Sequence, residues 1–258
     1  MNRLAQLFNN KEDKDILSIY FTAGYPHLDS TLAIAEELEK AGADFLEIGF
    51  PYSDPLADGP VIQNSSQVAL QNGMTLEVLF GQLKGLRERV SIPVYLMGYF
   101  NTVLQYGVER FCKSCAEVGV DGVIVPDLPI YEYEELYEAV FKRYGISNVF
   151  LVSPQTSDER IRKIDSLSTD FIYLLSSSAT TGKDLKVSEE RLSYFQRIKA
   201  LNLENRVVIG FGISNHESFQ QAARAADAAI IGSAFVRQLE NEDYLECIPK
   251  FIRSIKEG

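Results

Sequence analysis

At 258 residues, 46% hydrophobic and 24% charged with Gly 17 and Pro 9, the chain sits in the ordinary globular range. That composition argues against disordered and collagen-like classes and leaves room for one large core. A formal net charge of -11 and a pI near 4.8, without a Lys/Arg stripe interleaved with aromatics, argue against nucleic acid as a partner, so an anionic ligand has to be held by local backbone donors.

The N-terminal residues carry no apolar signal core, and no apolar run approaches the roughly 20 residues of a membrane span. A cytoplasmic protein that does not enter a membrane is expected. Cys112, Cys115 and Cys247 are too few for a disulfide framework. The CxxC at 112–115 lies in a helical pattern without a second ligand pair, which favours reduced thiols over a metal or redox site.

In chain order, a first helix over 2–8 precedes short β-branched or aromatic runs that alternate with longer segments of 3.6 period. Strands are expected at 16–22, 44–49, 93–98, 121–126, 148–153, 170–175, 206–210 and 227–232. Helices are expected at 30–40, 75–89, 108–117, 131–143, 158–167, 188–201, 215–224 and 244–256. Eight βα units, no linker and no low-complexity stretch predict an α/β fold, one domain over 1–258, built as a single (β/α)8 TIM barrel with an extra N-terminal helix that plugs the barrel. A doubly wound open sheet shares the alternation and is the fold-level alternative. A weak internal echo, Ala41-Gly42-Ala43-Asp44, Val118-Gly119-Val120-Asp121 and Ala225-Ala226-Asp227, marks helix-to-strand turns.

Catalytic residues of such a barrel belong at the C-terminal strand ends and in the loops that follow. In the second strand Glu47 shares a face with Phe45 and Gly49 near the strand end. Burial there would raise its pKa towards neutrality, as an acid-base group requires. Strand position alone is equally compatible with a carboxyl satisfied by backbone donors or an ion pair. The next loop, Phe50 to Pro60, sets Asp54 and Asp58 among three prolines that restrict the backbone, and Asp58 suits a partner for a developing positive charge.

Gly210-Phe211-Gly212-Ile213-Ser214 after the seventh strand and Gly232-Ser233 after the eighth, the latter opening a helix, form a candidate phosphate grip that Gly182 after the sixth strand could complete. A dinucleotide fingerprint fails because Asn215 stands where its third glycine belongs. Tyr173 shares a strand face with Phe171 and Leu175, so its hydroxyl could reach the barrel mouth or serve as a core tyrosine. His27 and His216 belong to no metal-ligand cluster.

Four blocks carry a resemblance over essentially the whole chain: Phe21-Thr22-Ala23-Gly24-Tyr25-Pro26, the run from Glu47 to Pro60, Gly122-Val123-Ile124-Val125-Pro126-Asp127-Leu128-Pro129, and Gly210 to Ser214. Together they resemble the tryptophan synthase alpha subunit family. The resemblance implies a lyase that cleaves indole-3-glycerol phosphate by a retro-aldol reaction into indole and glyceraldehyde 3-phosphate, in tryptophan biosynthesis. It implies Glu47 as acid-base and Asp58 as the charge partner. It places Tyr173 on the substrate and Gly182, Gly212, Gly232 and Ser233 around the phosphate, and Phe211 and Met97 suit the apolar walls that a flat indole ring needs.

The resemblance implies no cofactor in this chain. Pyridoxal phosphate would reside in a partner beta subunit, in an αββα heterotetramer that passes indole through a tunnel. The loops around Asn101 and Asp127 would face that partner, and closure of the Asp58 and Thr181 loops would couple the two sites. Departures are the loop from Ser176 to Gly182, where many relatives carry Arg and Gly-Val before Thr-Gly, and Thr102, where proline is common.

Two rivals remain. A different sugar-phosphate barrel enzyme, an isomerase or decarboxylase, usually needs a catalytic lysine or histidine, and no lysine stands at a strand end. A non-catalytic ligand-binding regulatory subunit would not need both carboxylates. A stand-alone lyase releasing free indole shares the chemistry of the main reading.

Overall fold

The computed structural model describes residues 2–10, 15–175, 189–210 and 212–258. Helix α1 (Arg3–Asn10) is followed by β1 (Leu17–Thr22), α2 (Thr31–Ala41), β2 (Phe45–Gly49), α3 (Pro60–Gln71), α4 (Leu76–Leu83), α5 (Leu86–Arg89), β3 (Val94–Met97), α6 (Phe100–Tyr106), α7 (Val108–Val118) and β4 (Gly122–Ile124). Then come α8 (Ile130–Glu132), a π-helical turn (Tyr133–Tyr137), α9 (Glu138–Tyr144), β5 (Ser147–Val152), α10 (Asp158–Leu167), β6 (Phe171–Leu175), α11 (Glu189–Ala200), β7 (Arg206–Gly210), α12 (His216–Ala225), β8 (Ala228–Ile231), α13 (Ser233–Gln238) and α14 (Tyr244–Lys256). The strands are parallel and follow chain order around a closed barrel, β8 pairing back onto β1, so the open-sheet alternative falls.

Side-chain alternation sorts the strands into two apolar layers. Outward residues such as Leu17, Ile19, Phe21, Leu46 and Ile48 join helix residues Ile34, Ala35 and Leu38 in the outer core. Inward residues Phe45, Tyr95 and Phe171 interlock edge to face, with ring centroids 5.2 to 6.3 Å apart. Leu4 of α1 belongs to the same inner cluster, so the helix closes the N-terminal end of the barrel as expected. The side chains of Asn2 and Tyr95 both donate to Asp170, tying that plug to the barrel floor.

The echo at helix-to-strand turns has a physical origin. Gly42 and Gly119 end α2 and α7 in the left-handed conformation, φ 101° and 79°, where a side chain would be strained. The aspartate that follows then accepts a backbone N–H from the start of the preceding strand: Leu17 to Asp44 at 2.8 Å, Val94 to Asp121 at 2.8 Å and Val207 to Asp227 at 2.9 Å. Each also meets a cation, Lys256 at 2.9 Å, Arg87 at 2.6 Å with Arg3 at 2.8 Å, and Arg206 at 3.0 Å respectively. The carboxylate thus satisfies a strand end and an ion pair at once.

The structure departs from the sequence reading in the helices. The segment expected at 75–89 divides into α4 and α5 around Gly85, whose φ -94° and ψ 9° leave the helical region. Arg87 then reaches the carbonyls of Gly119, Val90 and Ile92 besides Asp121. The segment expected at 131–143 holds the π turn, where Tyr133 packs on Phe141 and Phe150 with centroids 5.4 and 5.2 Å away. Helices α3 and α6 were not expected. The buried face of α3 is Ile62, Ser65, Ser66 and Ala69, helical in spacing but half serine, so no apolar stripe betrays it.

Asp121→Ala should therefore destabilise the protein by about 2–4 kcal/mol, because it strands the Val94 N–H and leaves Arg87 without its anion. Asp227→Ala, whose side chain and Arg206 partner are 29% and 53% exposed, should cost about 1–2 kcal/mol. Urea unfolding of the two variants checks the order, and equal losses would refute the assignment of the larger share to Asp121.

Candidate active site

Phe45, Glu47 and Gly49 project inward from β2, and Glu47 stands in register with Tyr20 of β1 and Tyr95 of β3. Its side chain is fully buried, and neither carboxyl oxygen has a hydrogen-bond partner among the described residues. Among the described residues, no backbone donor or ion pair satisfies this carboxyl. An ionised carboxylate in that setting is costly, so burial pushes the pKa up to about 8 and the group holds its proton at neutral pH.

Two tyrosines flank it. A Cβ at Gly49 would lie 2.2 Å from the Tyr20 hydroxyl, and one at Gly210 would lie 1.9 Å from the Tyr173 hydroxyl. These glycines clear space for phenol groups above the inner core, which gives Gly210 a packing role in addition to its place in a turn. Burial first, then the neighbouring Glu47, Tyr20 and Asp58, push the Tyr173 hydroxyl far up, and Tyr20 is raised by burial and then by Asp58. Both phenols therefore stay protonated as potential donors. Met97 lies half-buried at the upper edge of the same inner cluster.

Asp58 reaches the site from the loop between β2 and α3. Its N–H donates to the Pro55 carbonyl at 3.0 Å, and the Gln63 amide donates to its own carbonyl at 2.8 Å, so both ends of its peptide are held. Gly59 then caps α3, with Pro60 at the first helical position. The half-buried Asp58 carboxyl accepts from the Tyr99 hydroxyl at 3.3 Å. Burial pushes its pKa up to about 6, opposed by that hydrogen bond.

The candidate phosphate residues lie at the ends of β7 and β8. Gly212 has φ 78°, a left-handed conformation that favours glycine. Gly232 differs: the nearest contacts of a Cβ there would be with Tyr20, at an ordinary 3.5 Å, so its described neighbours do not demand a glycine. Ser233 opens α13. Gly182 and Phe211, with the Thr181 loop, lie outside the described residues.

Glu47, Tyr173 and Met97 thus share the inner face, Asp58 stands on the rim, and Gly232 approaches the same Tyr20 ring that overlies Gly49. Tyr20 and Tyr99 are the site residues that sequence reading missed. The period-two alternation of β1 could have pointed Tyr20 inward. Nothing local marks Tyr99, whose role depends on two loops meeting in space.

Burial pushes the Cys112 thiol up to about 12 and raises the Cys115 thiol well above its ordinary range, which leaves the CxxC as protonated helix packing. Among the described residues no three of His, Cys, Asp or Glu group as metal ligands.

A family profile described as tryptophan synthase alpha chain matches residues 6–254. The chain is 56% identical to a tryptophan synthase alpha chain of Flavobacterium johnsoniae over 99% of its own length and 100% of that protein, and 54% identical to one of Flavobacterium psychrophilum over 99% and 100%. Among solved structures it resembles a chain of a tryptophan synthase complex from Pyrococcus furiosus, with TM-score 0.85 and 34% identity, covering 93% of this chain and 97% of that one.

The raised pKa of Glu47 has a consequence for stability. The unfolded chain releases that proton near pH 4.5 and the folded chain near 8, so stability from this group is complete below about 4.5, declines between the two values and is gone above about 8. Glu47→Gln removes this dependence. The variant should be more stable than wild type at pH 8 by on the order of 3–5 kcal/mol relative to the difference at pH 4.5. Urea unfolding across that range measures it, and parallel pH profiles would rule out a neutral, buried Glu47.

Proposed function

Because the chain belongs to the tryptophan synthase alpha chain family, we propose that Glu47 and Asp58 carry out its lyase reaction, the retro-aldol cleavage of indole-3-glycerol phosphate to indole and glyceraldehyde 3-phosphate. The observation that carries the assignment is the buried Glu47 carboxyl, without a partner among the described residues and protonated near neutrality at the C-terminal end of a barrel strand.

Protonated Glu47 donates its proton to C3 of the indole ring, which places positive charge on the ring nitrogen. Asp58, ionised above about pH 6, balances that charge from the rim. The Glu47 carboxylate so formed takes the proton of the side-chain hydroxyl as the C–C bond breaks, so indole leaves, the aldehyde forms and the enzyme regains its starting protonation. Two carboxyls in different environments thus divide the work of proton transfer and charge stabilisation. Tyr173 contacts the substrate beside Glu47, and Met97 and Phe211 wall the indole. Gly212, Gly232 and Ser233 receive the phosphate through backbone N–H and hydroxyl groups, with Gly182 on the third side. A glycine at position 232 that its described neighbours do not demand supports this reading.

The chemistry so drawn draws on no cofactor from this chain. The partner is a beta subunit holding pyridoxal phosphate, in an αββα assembly in the cytoplasm. Among the described residues no helix is long and apolar enough to cross a membrane. The large apolar side chains left exposed include Leu56 at 87%, Leu104, Tyr131 at 67% and Leu136, which follow β2, β3 and β4 on one sector of the barrel, as do the exposed Asn101 and Asp127. An exposed apolar sector of that kind suits a docking partner.

Indole release from indole-3-glycerol phosphate by the purified chain, with and without a beta subunit, tests the function. Glu47→Gln should lower kcat at least about 100-fold while the protein stays folded. No release in the presence of an active partner would leave a ligand-binding regulator as the better account. The kcat/KM profile should be bell-shaped, rising through about 6 as Asp58 ionises and falling through about 8 as Glu47 loses its proton. A Glu47→Asp variant whose falling limb does not move would assign that limb elsewhere.

A further inference from the structure

We propose that Tyr99 is a positioning residue for the reaction, aiming and holding the Asp58 carboxylate through a hydroxyl fixed by the Ala57 N–H and a ring stacked on Tyr52. The inference rests on the assignment of Asp58 above and extends it to a residue of a different loop.

A tyrosine hydroxyl has a single proton and can accept from another donor. The Ala57 N–H, 3.1 Å away, can only donate, so it occupies an acceptor position on the Tyr99 oxygen. The phenolic proton is left for Asp58 Oδ2, 3.3 Å away. Adjacent residues of one loop are thereby read by one oxygen, which fixes the loop's backbone and its functional side chain together. The ring stacks on Tyr52 with centroids 5.0 Å apart and planes inclined by 27°, a third tie to the same loop.

The anchor itself is rigid. Tyr99 directly precedes α6, and the next residue, Phe100, is buried, packs on Tyr137 with centroids 5.2 Å apart and donates its N–H to Asp127 Oδ1 at 2.8 Å. Loops after β2, β3 and β4 are therefore joined in series.

Tyr20 of β1 and Tyr173 of β6 lie near enough to Asp58 and Glu47 for both carboxyls to raise their hydroxyls, and Asp58 and Asp127 act on Tyr99 in the same way. No described residue forms an ion pair with Asp58, and none of these neighbours is a cation. The Tyr99 proton is the interaction that favours the ionised carboxylate against its burial.

The test compares kcat/KM profiles for indole-3-glycerol phosphate cleavage in wild type, Tyr99→Phe, Asp58→Asn and the double variant, each in complex with the beta subunit. Tyr99→Phe keeps the ring and its stack. It should move the acid limb up by about 0.5–1 unit, giving about a twofold to sixfold loss at pH 6 and little change at pH 8. In the Asp58→Asn background the same change should have no further effect. Replacement of Tyr99 by 3,5-difluorotyrosine, a stronger donor of similar shape, should move the limb down and serves as the decisive reading if Tyr99→Phe fails to fold. A limb that belongs to the substrate phosphate would not move in either variant. An unmoved limb, or an equal loss at every pH that persists without the Asp58 carboxylate, overturns the proposal. Loss of the basis for it is separate and recognisable: Asp58→Asn would then be as active as wild type.

Discussion

A single carboxyl group sealed inside an apolar barrel is the constraint on which the rest of this molecule depends. Glu47 has no hydrogen-bond partner among the described residues and is closed off from solvent. It is tolerable only because it keeps its proton, and it keeps its proton only while water and cations stay out. The interlocked rings of Phe45, Tyr95 and Phe171 exclude them from below, and Leu4 of α1 closes the floor. Parts of the fold remote from the mouth thus bear on the acidity of one group. The plug helix belongs to the same electrostatic arrangement as the site.

Asp58 shows the opposite solution. It sits on a loop, half-buried, with a hydroxyl donor, and its pKa is pushed up only to about 6, against about 8 for Glu47. Near neutral pH the two carboxyls are accordingly in different protonation states, one an acid and the other an anion. Chemistry that protonates a substrate and then balances the resulting charge needs that inequality. It arises from where each residue stands, a strand interior or a loop rim, and from the neighbours that position supplies. Tyr99 bonds the Asp58 carboxyl, and glycines at strand ends make room for the hydroxyls of Tyr20 and Tyr173.

Much of the fold was legible because strand periodicity survives in the sequence: each of the eight expected strands is present within about two residues of its expected bounds. The repeated aspartate at strand starts was visible as an echo, while its reason, capping the N–H of the preceding strand, required the barrel to be closed. Helix α3 was not legible, because serines occupy half its buried face and Ser65 bonds to Thr22 of β1 at 2.7 Å, an apolar position filled by a satisfied polar pair. The break at Gly85 and the π turn were likewise hidden, since both depend on what Arg87 and Tyr133 find across the structure.

The sequence by itself determined the alternation of strands and helices, the inward direction of Glu47 and the glycines at strand ends, since period-two alternation and glycine's missing side chain are local properties. The four motif blocks likewise carried the family. Tertiary structure alone decided that Glu47 lacks a partner among the described residues, that Tyr20 overlies Gly49 and approaches Gly232, and that Tyr99 meets Asp58. Those relations join groups from different strands and loops, and their strength comes from desolvation and from distances of a few ångströms, which exist only once the barrel has closed.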